Sequence, residues 1–305
     1  MAPKSITVLH PGEMGAAVGM CLSGRGFRVL WVSEGRSPAT RARARASALE
    51  ETPRLGDALE AADIALSICP PHSAVDVAAS VAKTRFRGIY VDANAIAPKT
   101  TRKIGRLIEA AGAGFVDGAI IGPPPTSERR TRLYLAGPSR EEVAALFQST
   151  DLQTITLDDP VGTASALKMC YAAWSKGTTA LLANIRALAQ SEGVDARLLH
   201  EWSLSNPGPL QQSDRIPGTA RKAWRWVAEM EEIAASFEAA QLSGGFHRAA
   251  ADVYGRLADF KELATTPALA AVIAKLLENP TMGTALEAMP SHRSDATIDG
   301  QRTLK

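Results

Sequence analysis

Only three cysteines occur in the 305 residues, and Cys21, Cys69 and Cys170 stand far apart with no C-x-x-C pairing. That spacing excludes a disulfide framework and a thiolate zinc site, so each reads as a small buried apolar residue. A surplus of charge is missing as well. The chain sets 34 basic side chains against 32 acidic ones, for a formal net charge of +2, too little to draw nucleic acid or an anionic membrane surface. The run Arg41, Arg43, Arg45 is the local exception and reads as a solvated helix face. No apolar stretch is long enough to cross a bilayer, and residues 1–9 enter a strand pattern with no secretory leader. These absences predict a cytoplasmic protein without metal, nucleic acid or membrane, acting on a small molecule.

What is present is ample core material. Hydrophobic residues make up 46% of the chain, and its length suits two domains. β-Branched or apolar runs at 5–10, 27–32, 64–68, 88–92 and 114–119 alternate with alanine-rich helical patterns from 12–22 onward. The alternation predicts an α/β Rossmann domain, a doubly wound and mostly parallel sheet with helices on both faces. From Gly162 the texture turns helical, first as a long interdomain helix over 163–192, then over 195–204, 219–240, 246–260 and 266–278. The expected domains are a Rossmann domain over 1–160, an all-α substrate and dimerisation domain over 161–288, and a polar tail over 289–305.

His10-Pro11-Gly12-Glu13-Met14-Gly15 sits where the first strand meets the first helix. A dinucleotide turn needs glycine where backbone approaches pyrophosphate and again where helix packs on strand, and Gly12 and Gly15 take those places. His10 stands where the first glycine of that fingerprint is expected. After the second strand comes Ser33-Glu34-Gly35-Arg36-Ser37. Glu34 suits the ribose of NAD, whereas Ser33, Arg36 and Ser37 suit a 2′-phosphate, so NADP is favoured with NAD possible. Cys69 and Pro70 open a rigid loop at the same sheet edge, and Asn94, after Val91-Asp92-Ala93, can orient nicotinamide or substrate.

This order of features resembles the β-hydroxyacid dehydrogenase and 6-phosphogluconate dehydrogenase superfamily, which includes the imine reductases. The resemblance is carried by the glycine turn, Val91-Asp92-Ala93-Asn94 with Pro98, Phe115-Val116-Asp117-Gly118, and Gly162-x5-Lys168. The run Gly122-Pro123-Pro124-Pro125 and Lys222-Ala-Trp-Arg-Trp through Glu232-Ile233 look like a little-characterised branch with a distinctive helical domain. The resemblance implies that Lys168 projects toward the nicotinamide as the proton-transfer group, and that the helical domain pairs with a second copy as a homodimer. Where hydroxyacid dehydrogenases present a substrate-binding serine, this chain has Ile121-Gly122, and Pro123 has no N–H to offer. Ala172 replaces an asparagine four residues after the lysine, and Glu231 falls where a lysine is usual. With Ile121, Gly122 and Glu231 lining the site, a neutral, aromatic or cationic substrate becomes more plausible than a small hydroxyacid.

Further candidates are Tyr171, three residues after Lys168, as a second acid or a core tyrosine, and His247, after Gly244-Gly245, as a reserve general acid or a capping residue. Trp226, Met230, Ile233 and Phe237 have core spacing, while Trp224 lies on another face and suits a pocket or dimer interface. The leading expectation is an NADP-dependent oxidoreductase acting on an alcohol or carbonyl. Imine reduction is the near alternative, and a non-catalytic NADP sensor the distant one.

Overall fold

In the computed structural model, which describes residues 4–278, the first five apolar runs become strands of one eight-stranded sheet. They are β1 (Ser5–Val8), β2 (Arg28–Val32), β4 (Ile64–Ser67), β5 (Ile89–Asp92) and β6 (Gly114–Ile121). Three further strands, β3 (Glu50–Thr52), β7 (Thr131–Ala136) and β8 (Leu152–Leu157), complete the order β3-β2-β1-β4-β5-β6-β7-β8. Pairing is parallel except between β6 and β7, which run antiparallel. The sheet is therefore mostly parallel, with the last two strands reversed.

Helices α1 (Glu13–Ser23), α2 (Pro38–Ala46), α3 (Leu55–Glu60), α4 (Ala74–Ala82) and α5 (Pro98–Ala110) return the chain between parallel strands, and α6 (Arg140–Ala145) joins β7 to β8. They cover both faces. Val18 and Leu22 of α1 pack with Ile6, Val8 and Trp31 on one side, while Ala78 of α4 and Ile104 of α5 pack with Ala65, Tyr90 and Phe115 on the other. The order reverses between β1 and β4, and in such sheets ligands bind outside the carboxyl ends of strands at that point.

The second half is helical: α7 (Thr163–Ser191), α8 (Asp195–Ser205), α9 (Pro207–Ser213), α10 (Ile216–Ala220), α11 (Ala223–Ala239), α12 (Gly245–Arg256) and α13 (Leu269–Leu277). Met230 and Ile233 of α11 are fully buried among Ala173, Ala180 and Tyr254, with Trp226 and Phe237 packed against them. Pro207 and Pro217 lie in the first turns of α9 and α10, where proline has no intrahelical N–H to lose. The tail expected over 289–305 lies outside the described residues. The cysteines are less buried than expected: Cys170 is exposed and Cys21 and Cys69 are intermediate.

Candidate active site

The site begins with a close approach of backbone to backbone. A Cβ at Gly15 would fall 2.2 Å from the His10 carbonyl oxygen, whereas one at Gly12 would meet nothing within 4 Å. Gly15 thus lets α1 lie against the end of β1, and Gly12 faces open space at a helix start that no side chain caps. Unpaired N–H groups and the helix dipole there suit a phosphate. Arg43 donates to the Pro11 carbonyl at 3.2 Å and Arg41 to that of Ser33 at 2.9 Å. Two members of the supposed solvated arginine run are therefore braces for the turn and for the end of β2.

A cavity of about 360 Å³ lies beside this turn, lined by His10, Val32, Glu34, Arg36, Asp76 and Ser80 among others. His10 Nδ1 and Arg36 Nε are buried there without partners. Burial, helped by Arg36, lowers His10 to about 4, so its ring is neutral at pH 7. Glycine cradle, uncapped helix and orphaned donors beside a cavity fit a dinucleotide. Ser33 is buried at the end of β2, and Ser37 accepts the Thr40 N–H at 3.2 Å as the cap of α2, so Arg36 is the lining residue best placed for a 2′-phosphate.

Asn94 is buried and already engaged. Its Oδ1 accepts the Cys69 N–H at 2.6 Å and its Nδ2 donates to Ser67 Oγ at 3.0 Å. It ties the loop after β4, where Cys69 and Pro70 lead into a short 3₁₀ turn (Pro71–Ser73), to the end of β5. Burial pushes the Cys69 thiol up to about 12, which keeps it a neutral packing group. The structure thus gives Asn94 a role in shaping the cofactor edge where the sequence suggested direct orientation.

Lys168 stands in the second turn of α7 and donates to the Ile120 carbonyl at 2.8 Å, at the end of β6 beside Ile121 and Gly122. Gly122 has φ +132°, and a Cβ there would crowd Thr131. Burial, reinforced by the Lys176 ammonium and opposed by the Glu229 carboxylate, brings Lys168 down to about 8. Lys176, two helical turns beyond, forms an ion pair with Glu229, both largely shielded from water.

The wall opposite is α11. At helical spacing, Arg225, Glu229 and Glu232 form one polar face turned to the Rossmann edge. Arg225 reaches Glu13 of α1 at 3.2 Å, Glu229 meets Lys176, and Glu232 accepts from Ala97 N at 2.7 Å and Thr100 Oγ1 at 3.0 Å, capping α5. Glu231 points the other way and pairs with Arg248 at 2.7 Å, both about half exposed. Its expected place in the site is therefore corrected: the inward carboxylate is Glu229, which i, i+4, i+7 spacing from Arg225 could have singled out.

Three other candidates have surroundings of their own. Tyr171 is half exposed. His247 is buried between Phe237 and Phe246 against Ala173 and Gly177 of α7. It is a packing histidine whose pKa burial lowers, which removes it as reserve acid. Trp224 is flanked by cations, Arg225 at 5.7 Å and Lys261 at 4.3 Å from its ring centre. Among the described residues no cluster of metal-ligating side chains occurs, and no helix is long and apolar enough to cross a membrane.

A glycine turn at the switch point, a cavity beside it and a half-buried lysine on α7 define a dinucleotide-binding protein of the hydroxyacid dehydrogenase fold. Comparisons agree with that class. Residues 5–150 match the NAD binding domain of 6-phosphogluconate dehydrogenase, and residues 189–257 match a domain of unknown function, DUF1932. The N-terminal half of the chain thus carries an NAD binding domain of the 6-phosphogluconate dehydrogenase type, and the chain as a whole has the hydroxyacid dehydrogenase fold. A similar curated protein, an uncharacterized 28.5 kDa protein of Methanothermus fervidus, is 31% identical over 54% of this chain and 63% of its own length, so the match spans less than two thirds of that relative. Among solved structures, Mycobacterium tuberculosis 3-hydroxyisobutyrate dehydrogenase with L-serine superposes with a TM-score of 0.67 at 18% identity, covering 90% of this chain and 99% of that one. An imine reductase of Streptomyces aurantiacus gives 0.52 at 19% identity, covering 90% and 100%.

Proposed function

We propose that the protein is an NADP(H)-dependent oxidoreductase that interconverts a secondary alcohol and a carbonyl, with Lys168 as the proton-transfer group. The observation that carries this reading is a partly buried lysine, lowered to about 8, held by the Ile120 carbonyl at the end of β6. Bound nicotinamide supplies or takes up hydride; the chain's own residues do the rest. Gly12, Gly15 and the start of α1 seat the phosphates, Arg36 favours the 2′-phosphate of NADP over NAD, and α11 screens the cleft from water. Lys168 gives a proton to the substrate oxygen in reduction and takes one in oxidation, which a pKa near the working pH serves in both directions.

With Glu231 outside the cleft, its repulsion of an anionic substrate falls away. Lys168 and Lys176 against Glu229 leave one cation in excess. The hydroxyacid recognition groups are nevertheless absent at Ile121, Pro123 and Ala172, so the substrate is a carbonyl compound read by a different set of contacts. Retention of the lysine ranks carbonyl above imine.

A homodimer is part of the proposal. Leu167, Tyr171, Trp174, Leu181 and Leu188 recur at heptad-like spacing along α7 and are all exposed, Trp174 by 73%. Such a seam fits a second copy of the same helix.

The test is NADPH oxidation against ketones, aldehydes, semialdehydes and cyclic imines, run in parallel on Lys168→Ala. Turnover of a carbonyl that falls by about 10²-fold or more in the variant is expected. Turnover untouched by it overturns the mechanism, and tight NADPH binding without any turnover favours a sensor.

A further inference from the structure

We infer that Arg225, on the helical domain, is a cofactor-binding residue that holds the pyrophosphate from across the cleft, and that Glu13 keeps it in place when no cofactor is bound. The inference rests on the dinucleotide reading above.

The geometry of the Arg225–Glu13 contact points this way. Two arginines that serve as structural partners fill their forks: Arg186 places Nε and Nη2 on the two oxygens of Asp195 at 2.6 and 2.8 Å, and Arg28 does the same with Glu50. Arg225 instead directs Nη1 and Nη2 at one oxygen of Glu13, at 3.3 and 3.2 Å. Charge-assisted pairs are shorter, and a matched fork uses two acceptors. This guanidinium is under-used.

Its position is not accidental. The two other charged members of the same α11 face are committed, Glu229 to Lys176 and Glu232 to the start of α5, so the helix is fixed against the Rossmann edge on either side of the lysine cleft. Trp224 lies beneath the guanidinium, with Lys261 over the same ring, which orients the arginine without spending its donors. Glu13 is the first residue of α1, directly after Gly12 and its open space.

A carboxylate beside a diphosphate seat repels the ligand unless a cation accompanies it. Arg225 is that cation. When the diphosphate enters, its oxygens offer the planar fork two acceptors in place of one, and the guanidinium turns from Glu13 to the stronger partner.

The experiment measures binding by the full chain of NADPH and of adenosine 2′-monophosphate, a probe that keeps the 2′-phosphate and lacks the pyrophosphate. Arg225→Met is expected to weaken NADPH about tenfold or more and to leave the monophosphate within about twofold. Arg225→Lys is expected to fall between, because a point charge replaces a fork. Glu13→Gln is expected to tighten NADPH in the otherwise unchanged chain, and to tighten it at least as much in the Arg225→Met background, where the carboxylate would stand unaccompanied. The ligand-free melting temperature of Arg225→Met should stay near that of wild type, since a half-exposed pair contributes little. Equal NADPH affinity in Arg225→Met and wild type overturns the inference alone. A fall in ligand-free stability with unchanged affinity makes the pair a domain strap and also overturns it. Failure of wild type to bind NADPH or NADH overturns the cofactor reading with it.

Discussion

At Lys168 burial, a second ammonium and one carboxylate decide where the proton sits. Because burial and Lys176 bring the amine down to about 8, its charged form prevails below that pH. Carbonyl reduction, which needs the ammonium, should decline as pH rises through about 8, and alcohol oxidation should rise over the same interval. Lys176→Met removes a like charge and leaves Glu229 unpaired, so both midpoints should move up by about one pH unit. Glu229→Gln should move them down. The check is the pH profile of kcat/KM for each variant, or of ¹³C-methylated lysine resonances in the absence of substrate. Lys168 and the glycines of the turn were legible because their spacing follows the chain. Glu229 was missed: it lies in an acidic run with Glu231 and Glu232, and its helical spacing from Arg225 distinguishes a buried carboxylate from a solvated one only once the inward face of α11 is known.

Among elements, α7 owes its start to a distant residue. Gly162 takes φ +105°, and the first N–H groups of the helix turn onto the Asp117 carboxylate of β6: Gly162 at 2.8 Å, Ala164 at 3.0 Å and Ser165 at 3.3 Å, with Ser165 Oγ at 2.6 Å. One buried side chain thus joins the sheet to the helix that carries the lysine. Asp117→Ala should lower stability by about 2–4 kcal/mol, because it strips the cap from a helix start that water cannot reach; chemical denaturation measures it. The strands with continuous apolar runs could be read in advance. β3 offers only Glu50, Glu51 and Thr52, with no apolar signal, and β7 and β8 alternate weakly at the sheet edge, so pairing with neighbours creates them where local pattern does not.

For the whole molecule, the sheet and the helical C-terminal region meet along α7 and α11, and the passage from sheet to helices followed from the change of texture near Gly162. What no pattern conveyed was how α11 would lie over the Rossmann edge, since that placement depends on contacts between residues more than a hundred positions apart, such as Glu232 with Ala97. Trp174→Glu places a charge in the exposed apolar seam and should convert a dimer to a monomer in light scattering, with the melting temperature of the isolated subunit little changed. A protein that is monomeric before the substitution would remove the seam from consideration.

The length of α7 gives the Asp117 contact a mechanical meaning. Its 29 residues extend about 43 Å, with Lys168 near the end that Asp117 anchors and the far half packed among the helices at Ala180, Ala183 and Ala187. Four hydrogen bonds to one carboxylate hold the tip of this rod to the sheet, while core packing holds the rest of it to the helical half. Asp117 is thus the pin that fixes the amine at the end of β6.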